Sequence, residues 1–455
     1  MIFCISNPAS KYPRLQPCPR PAWSKDTGTG REALLFVLIA ALAAMLFSPA
    51  AWAAEQKTQK EQSKFEIETT LESKIDLHNN RDLDSKKDDS LLVLDPDLTV
   101  EILYKATDYF EIFTEIEAAR KFTLDHGNDI DSPSHDEELN LKQLYFDLED
   151  QPFDKLRLRL GRQEFEDERE WLYDQELDGL RLFYEQDKWS AELSASRLAL
   201  ARENLLKNDD YDEHLNFYMA YGSYQPNTRH EFNAYTILID ERAKSADEQV
   251  LLGLRSRGTL ANALDYWVEL ATVRGQDEGV DLRGYGLDLG ATYRFATAFS
   301  PNLSLGYAFG SGDSSPEDSR DRSFRQTGIH DNTGSFNGVE DFQLYGEVLD
   351  PELSNIHIIT AGLGMRPTEK SSLDLVYHHY RQDEATEGKL RNAWIREETL
   401  GESRDLGQGL DIILGYREVR NLQLYASYGL FFPGEAFADS ADTAHTFQVG
   451  FEYEF

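Results

Sequence analysis

Hydrophobic and polar residues alternate along most of the chain with a period of two. The alternation is cleanest at the end, where Phe447, Val449, Phe451, Tyr453 and Phe455 fall on one face and Thr446, Gln448, Gly450, Glu452 and Glu454 on the other. A strand turns successive side chains to opposite faces, so residues 445–455 read as a strand with one apolar and one polar face. The pattern begins with Phe65, Ile67, Thr69 and Leu71 set against Glu66, Glu68 and Thr70, and it recurs at Tyr285, Leu287, Leu289, Ala291, Tyr293 and Phe295. Turns at 149–152 and 185–188 are short and polar, whereas the loops at 126–138 and 310–338 are long and polar.

Strands are expected at 65–71, 98–103, 109–119, 139–148, 156–160, 177–184, 189–198, 215–224, 230–239, 250–257, 263–273, 285–295, 303–309, 356–363, 373–380, 410–416, 422–430 and 445–455. The fold class is all-β, a transmembrane antiparallel barrel of about 18 strands, because bacterial single-chain barrels use an even number. A soluble sandwich also alternates, but here one pattern runs without a linker from Phe65 to a terminal Phe455. Aromatics recur at strand ends (Tyr104, Tyr109, Phe110, Trp189, Tyr221, Tyr224, Tyr293, Phe295, Tyr307, Phe309, Tyr416, Phe431, Phe432), as in interfacial girdles. No stretch after the amino-terminal run is apolar enough for a spanning helix, and lipid offers no partner to an open sheet edge, so the barrel must close.

Residues 1–53 read as a cleavable signal peptide with a long amino-terminal region, and 54–455 as the barrel. Arg31 precedes an apolar run over 33–47, followed by Ala51-Trp52-Ala53; about 15 residues fall short of the ~20 a spanning helix needs. Both cysteines, Cys4 and Cys18, lie in that segment, which leaves the barrel without thiols. The chain carries a net charge of −36, and removing 1–53, with five basic and two acidic residues, takes it to −39. Such acidity excludes nucleic acid as a partner. There is no GxSxG, HExxH or Walker loop, and His378 and His379 are adjacent on a strand, so their rings point apart and cannot share a metal. The expected activity is not enzymatic.

Two stretches are more specific than any periodicity. One is Leu158-Arg159-Leu160-Gly161-Arg162-Gln163, followed by Trp171 and Asp174. The other runs from Gly306-Tyr307-Ala308-Phe309-Gly310 through Phe324-Arg325-Gln326-Thr327-Gly328, Asn332 and Phe336-Asn337-Gly338 to Tyr345-Gly346-Glu347 and Pro351-Glu352-Leu353-Ser354-Asn355. Together these resemble the alginate export family of outer-membrane porins. The resemblance implies a monomeric 18-stranded barrel in the bacterial outer membrane, an arginine-lined constriction that passes a polyuronate outward, and gating loops. It also implies the lipid bilayer, an anionic or polar saccharide and periplasmic secretion proteins as partners. The chain departs from the family pattern at Glu164, directly after the Gly-Arg-Gln motif, at Asp95 before Pro96, and at Val339-Glu340-Asp341. Lys142, Arg162 and Asp174 persist. The acidic replacements motivate an alternative, a small-solute porin of the same fold; a non-conducting structural or enzymatic barrel is a third reading.

Alternation assigns lumen residues independently. With the intervening leucines and aromatics toward lipid, Arg157, Arg159, Arg181, Arg255, Arg257, Arg294 and Arg417 face inward, with Asp288 and Asp411. An arginine ladder facing carboxylates can set anion selectivity, or it can consist of paired charges that fill a polar lumen. Lys142, Arg162, Asp174 and Arg325 are expected to form the narrow part. Asp313, Glu317, Asp318 and Asp321 offer oxygens of the kind Ca²⁺ takes, although their spacing fits no EF-hand; no other cofactor is expected.

Overall fold

In the computed structural model, residues 64–128, 136–149, 154–198, 200, 203–206, 215–241, 247–277, 279–315 and 318–455 are described. The expected signal peptide lies outside them. Eighteen strands form one closed antiparallel barrel: β1 (Phe65–Asn79), β2 (Leu91–Thr107), β3 (Phe110–His126), β4 (Asp136–Glu149), β5 (Leu156–Glu166), β6 (Asp174–Gln186), β7 (Trp189–Arg197), β8 (Leu215–Asn227), β9 (His230–Glu241), β10 (Asp247–Leu260), β11 (Leu264–Asp277), β12 (Tyr285–Arg294), β13 (Asn302–Gly310), β14 (Ile356–Thr368), β15 (Ser371–Gln382), β16 (Asp405–Val419), β17 (Leu422–Pro433) and β18 (Ala444–Glu454). Each strand pairs with its neighbours in sequence. The last pairs with the first, from Asn79↔His445 to Thr70↔Glu454. Phe455 N–H donates to Thr69 O at 2.9 Å, so the closing ladder runs to the final residue.

Alternation holds round the wall. Leu158, Leu160, Leu252, Leu254, Tyr293, Ile412 and Leu414 are exposed on the outside, while Arg181, Arg255, Asp288 and Asp411 are buried within. Trp189, Tyr109, Tyr416 and Phe432 stand in the outer aromatic belt. Two expected girdle residues turn inward instead. Phe431 is fully buried against Phe437 and Tyr380, and Tyr221 stacks on Tyr235, whose hydroxyl reaches the buried Glu269. Each lies an odd number of positions from an outward neighbour, Phe432 and Tyr218 respectively, so parity rather than ring chemistry decides the face.

The strands are longer than the apolar runs that betray them. β2 begins at Leu91 and carries Asp95-Pro96-Asp97 inside it, against β1 through Ser73↔Pro96. Proline has no N–H for a ladder, and the β2–β3 pairing passes from Leu94↔Phe122 to Asp97↔Ala119, leaving out Asp95 and Pro96. The wall also divides between β4 and β5. They pair only from Glu149↔Arg157 to Leu144↔Arg162; beyond that, Asn140 of β4 bridges to Asn204 in the β7–β8 loop.

Short turns, including 187–188, 228–229, 369–370 and 420–421, lie at one end of the barrel, and longer loops at the other. The longest, 311–355, does not stay in solvent. It folds into the lumen and packs on the inward faces of β12–β17, where glycines make room for it. A Cβ at Gly286 would lie 2.5 Å from the Phe324 ring, and one at Gly429 would lie 2.7 Å from Glu347 Cβ. Phe324, Phe342, Leu344, Tyr345, Leu349 and Leu353 are buried there as a second core inside the barrel.

Candidate functional site: the narrowed lumen

The inserted loops meet at Asp288. Trp267 Nε1 donates to its Oδ1 at 2.9 Å; Arg169 Nη2 and the Tyr345 hydroxyl donate to Oδ2, each at 3.1 Å. Arg169 comes from the β5–β6 loop and lies 4.4 Å over the Trp267 ring; Tyr345 comes from the 311–355 loop. One wall carboxylate thus holds both insertions. Gln326 and Thr327 fasten them to each other, donating to the carbonyls of Trp171 and Leu172. Alternation identified Asp288 as inward. Its partners were hidden because they sit in irregular segments far along the chain, with only Trp171 in the polar stretch after β5 as a signal.

Every inward arginine singled out from the sequence stands against a carboxylate. Arg157 and Arg159 share Asp147, at 2.6 and 2.9 Å. Arg181 binds Glu192 at 2.7 Å and lies over Phe165; Arg255 binds Asp167 at 2.6 Å and also Glu269. Arg294 meets Asp265 at 3.1 Å, Arg417 meets Glu340 at 3.5 Å, and Arg257 meets Glu231 at 2.9 Å. Buried Arg162 forks onto Asp178, through Nε at 3.0 Å and Nη2 at 2.9 Å, and its Nη1 donates to Leu141 O, which fills the division between β4 and β5. Lys142 pairs beside it with Glu176 and, at 3.7 Å, with Glu203.

Arg325 is elsewhere, between Asp277 at the end of β11 and Asp321 in the inserted loop. Lys142 and Arg162 therefore belong to the β4–β6 wall and Arg325 to the loop docked near β11. Asp174 stands with Glu170 and Asp331, oxygens of the three lying within 4.8 Å of one another. In the 311–355 loop, Asp313 and Asp318 clamp Arg322 at 3.0 and 2.7 Å. Glu317 lies outside the described residues.

Two recesses line the lumen, and they differ in charge. Glu68, Glu72, Asp97, Glu101, Glu452 and Glu454, from β1, β2 and β18, line a recess of about 390 Å³ at the turn end. A larger cavity of about 620 Å³ reaches the 228–229 turn and is of mixed charge: Arg169, Arg229, Arg255 and Arg257 line it beside Tyr266, Trp267 and Phe336, together with carboxylates that include Glu231, Glu269 and Asp288. Guanidinium groups beside aromatic faces suit a polar, acidic ring substituent. Three loop carboxyls are held well above their ordinary range. Burial, with Asp174 and Asp331 nearby, pushes Glu170 up to about 8. Burial and then Asp411 push Glu347 up to about 7; burial also lifts Glu340 to about 7, against the pull of Arg417.

Comparison with known proteins agrees with the barrel. Solved structures of OccK9 (OpdG) from Pseudomonas aeruginosa (TM-score 0.60, 13% identity, 86% of this chain and 98% of that one) and OccAB2 from Acinetobacter baumannii (TM-score 0.57, 13% identity, 88% and 99%) share the fold. A curated relative, the alginate production protein AlgE of Azotobacter vinelandii, is 25% identical over 185 residues, 36% of this chain. The match spans 37% of that relative's length. The family model for alginate export matches residues 64–451, almost the whole barrel, and the chain therefore belongs to the alginate export family, as a channel of the bacterial outer membrane.

Proposed function

We propose that this channel passes an alginate-like polyuronate passively from the periplasm to the cell exterior. The observation that carries the reading is the family match over residues 64–451, almost the whole barrel. The cavity between Arg169, Arg257 and Trp267 supports it, since it offers guanidinium and aromatic faces to an acidic sugar. The carboxylates fix the geometry of the paired arginines, so the wall presents ordered donors at low cost in reorganisation. The proposed working unit is a monomer, whose lumen closes within one chain, supplied by periplasmic secretion proteins. Chemistry on the polymer is left to other proteins.

The test is planar-bilayer conductance with an oligomannuronate probe. Millimolar hexamer is expected to block the current, and a neutral hexasaccharide at the same concentration is not. A conducting channel indifferent to both probes favours a second reading, a small-solute porin. The acidic recess at Glu68, Glu72, Asp97 and Glu452 motivates that alternative, and it predicts a reversal potential shifted toward cations under a salt gradient.

A further inference from the structure

The lumen arginines named above are paired with carboxylates, whereas Arg81 and Arg396 at the loop end are not. Arg81, in the β1–β2 loop, donates through Nε to Trp394 O at 3.1 Å, and its guanidinium lies 4.0 Å over the Trp394 ring. His78 also stacks on Trp394, with ring centroids 4.4 Å apart. His78 shares the inward parity of Glu72 and Asp76 on β1, and Thr446 of β18 holds its Nδ1 at 3.0 Å. Two backbone bonds tie the β15–β16 loop to the β1–β2 and 311–355 loops: Arg396 N–H donates to Arg81 O at 2.8 Å, and Trp394 N–H to Leu349 O at 3.0 Å. Arg396 is exposed beside Arg81. Among the described residues neither guanidinium has an ion pair. Asp89 is close, but its carboxylate accepts the backbone N–H groups of Asn80, Arg81 and Asp82, at 2.6, 2.7 and 3.3 Å. Asp82 is taken by Lys87 at 2.8 Å. Burial, and after it the charge of Arg396, pushes Arg81 down to about 9.

One arginine held on an aromatic ring, with a second joined to its backbone and neither ion-paired, suits an anion in a strongly acidic chain. We propose that Arg81 and Arg396, braced by Trp394, form an exit subsite that holds a carboxylate of the polymer as it leaves the lumen. The subsite rests on the polyuronate reading above. His78 and Arg81 already lie against Trp394, so recognition is of the carboxylate by the Nη groups rather than by a stacked sugar. Above the acidic stretch of β1, this pair offers an anion a binding site at the loop end of the lumen, while the direction of transport stays with the polymer's gradient.

The test uses the full channel, with Arg396→Gln and the double variant Arg81→Gln/Arg396→Gln. Arg396 has no side-chain partner to lose, so the single variant keeps the fold; slower migration after boiling checks both barrels. Mannuronate hexamer binding to detergent-solubilised protein, measured by calorimetry, is expected to weaken about tenfold in the single variant and further in the double, as for loss of a charge-assisted bond. In bilayers, block by hexamer added on the loop side is expected to weaken to the same degree, with block from the turn side unchanged. Arg283→Gln, an exposed loop arginine, is the control and should change neither. Equal hexamer affinity in wild type and Arg396→Gln overturns the subsite even if the channel conducts. A wild-type channel that never responds to hexamer overturns the polyuronate reading and the subsite with it.

Discussion

Asp288 shows how much one side chain can hold. Arg169 and Tyr345 reach it from two different loops, and Trp267 donates from the neighbouring strand. Replacing it with asparagine leaves the half-buried Arg169 without its counter-charge, while the amide oxygen can accept only part of what the carboxylate accepted from Arg169, Trp267 and Tyr345. The strands do not depend on this pair, so Asp288→Asn is expected to assemble normally and to show a larger, noisier single-channel conductance. Wild-type conductance in this variant would mean that the loops are held elsewhere. Arg162 is the contrasting case. It lies in the most legible motif of the first half, yet its guanidinium knits the wall between Leu141 and Asp178. Arg162→Gln is therefore expected to lower the yield of folded barrel, read as the heat-modifiable band on gels, more than it changes ion selectivity.

The closing strand and the inserted loop are the elements that matter most. In β18 the terminal residue still takes part in the ladder, through Phe455 N–H to Thr69 O, and its ring packs edge-on against Tyr453 at 4.8 Å. Removing Phe455 takes away that bond and the last lipid-facing ring of the seam. Outer-membrane levels are expected to fall several-fold, as measured by quantitative immunoblot of membrane fractions; unchanged levels would show that the seam is set without it. The 311–355 loop depends on the absence of side chains opposite it. Gly286→Val places carbon where the Phe324 ring now lies. The loop should then dock poorly and be cut by protease added to intact cells, while the wild-type loop resists.

For the molecule as a whole, acidity and loop insertion combine into a pH dependence. Glu347 is lifted from an ordinary 4.5 to about 7 by burial and by Asp411, with Asp350 adding to the effect; Glu340 and Glu170 are lifted to about 7 and about 8. An acid whose pKa is raised on docking favours the docked state while protonated. Its contribution is complete below its free value and is lost as pH rises through the raised one. The inserted loops are thus held most firmly near pH 5 and loosened between about pH 5 and 8. Conductance should rise over that interval, and Glu347→Gln should flatten the rise. A conductance independent of pH from 5 to 8 would rule out these carboxyls as the fastening.

The sequence by itself determined the wall. Lipid is a uniform solvent, and the period of two is local, so each strand declares which face meets the membrane without reference to any other part of the chain. That is why Arg157, Arg181, Asp288 and Asp411 could be placed inward from a few neighbours, and why only strand ends, such as the reach of β2 to Leu91, were underestimated. What fills the barrel was decided by the tertiary structure alone. A glycine on an inward face reads as a gap until Phe324 is known to fill it, and a polar loop reads as solvated until Gln326 finds Trp171, 155 residues away. The partners of Asp288 and the shelf joining Arg81 to Trp394, 313 residues apart, obey no period. They exist because the closed wall brings distant irregular segments into one small polar volume, where each buried charge must find an opposite one or a ligand.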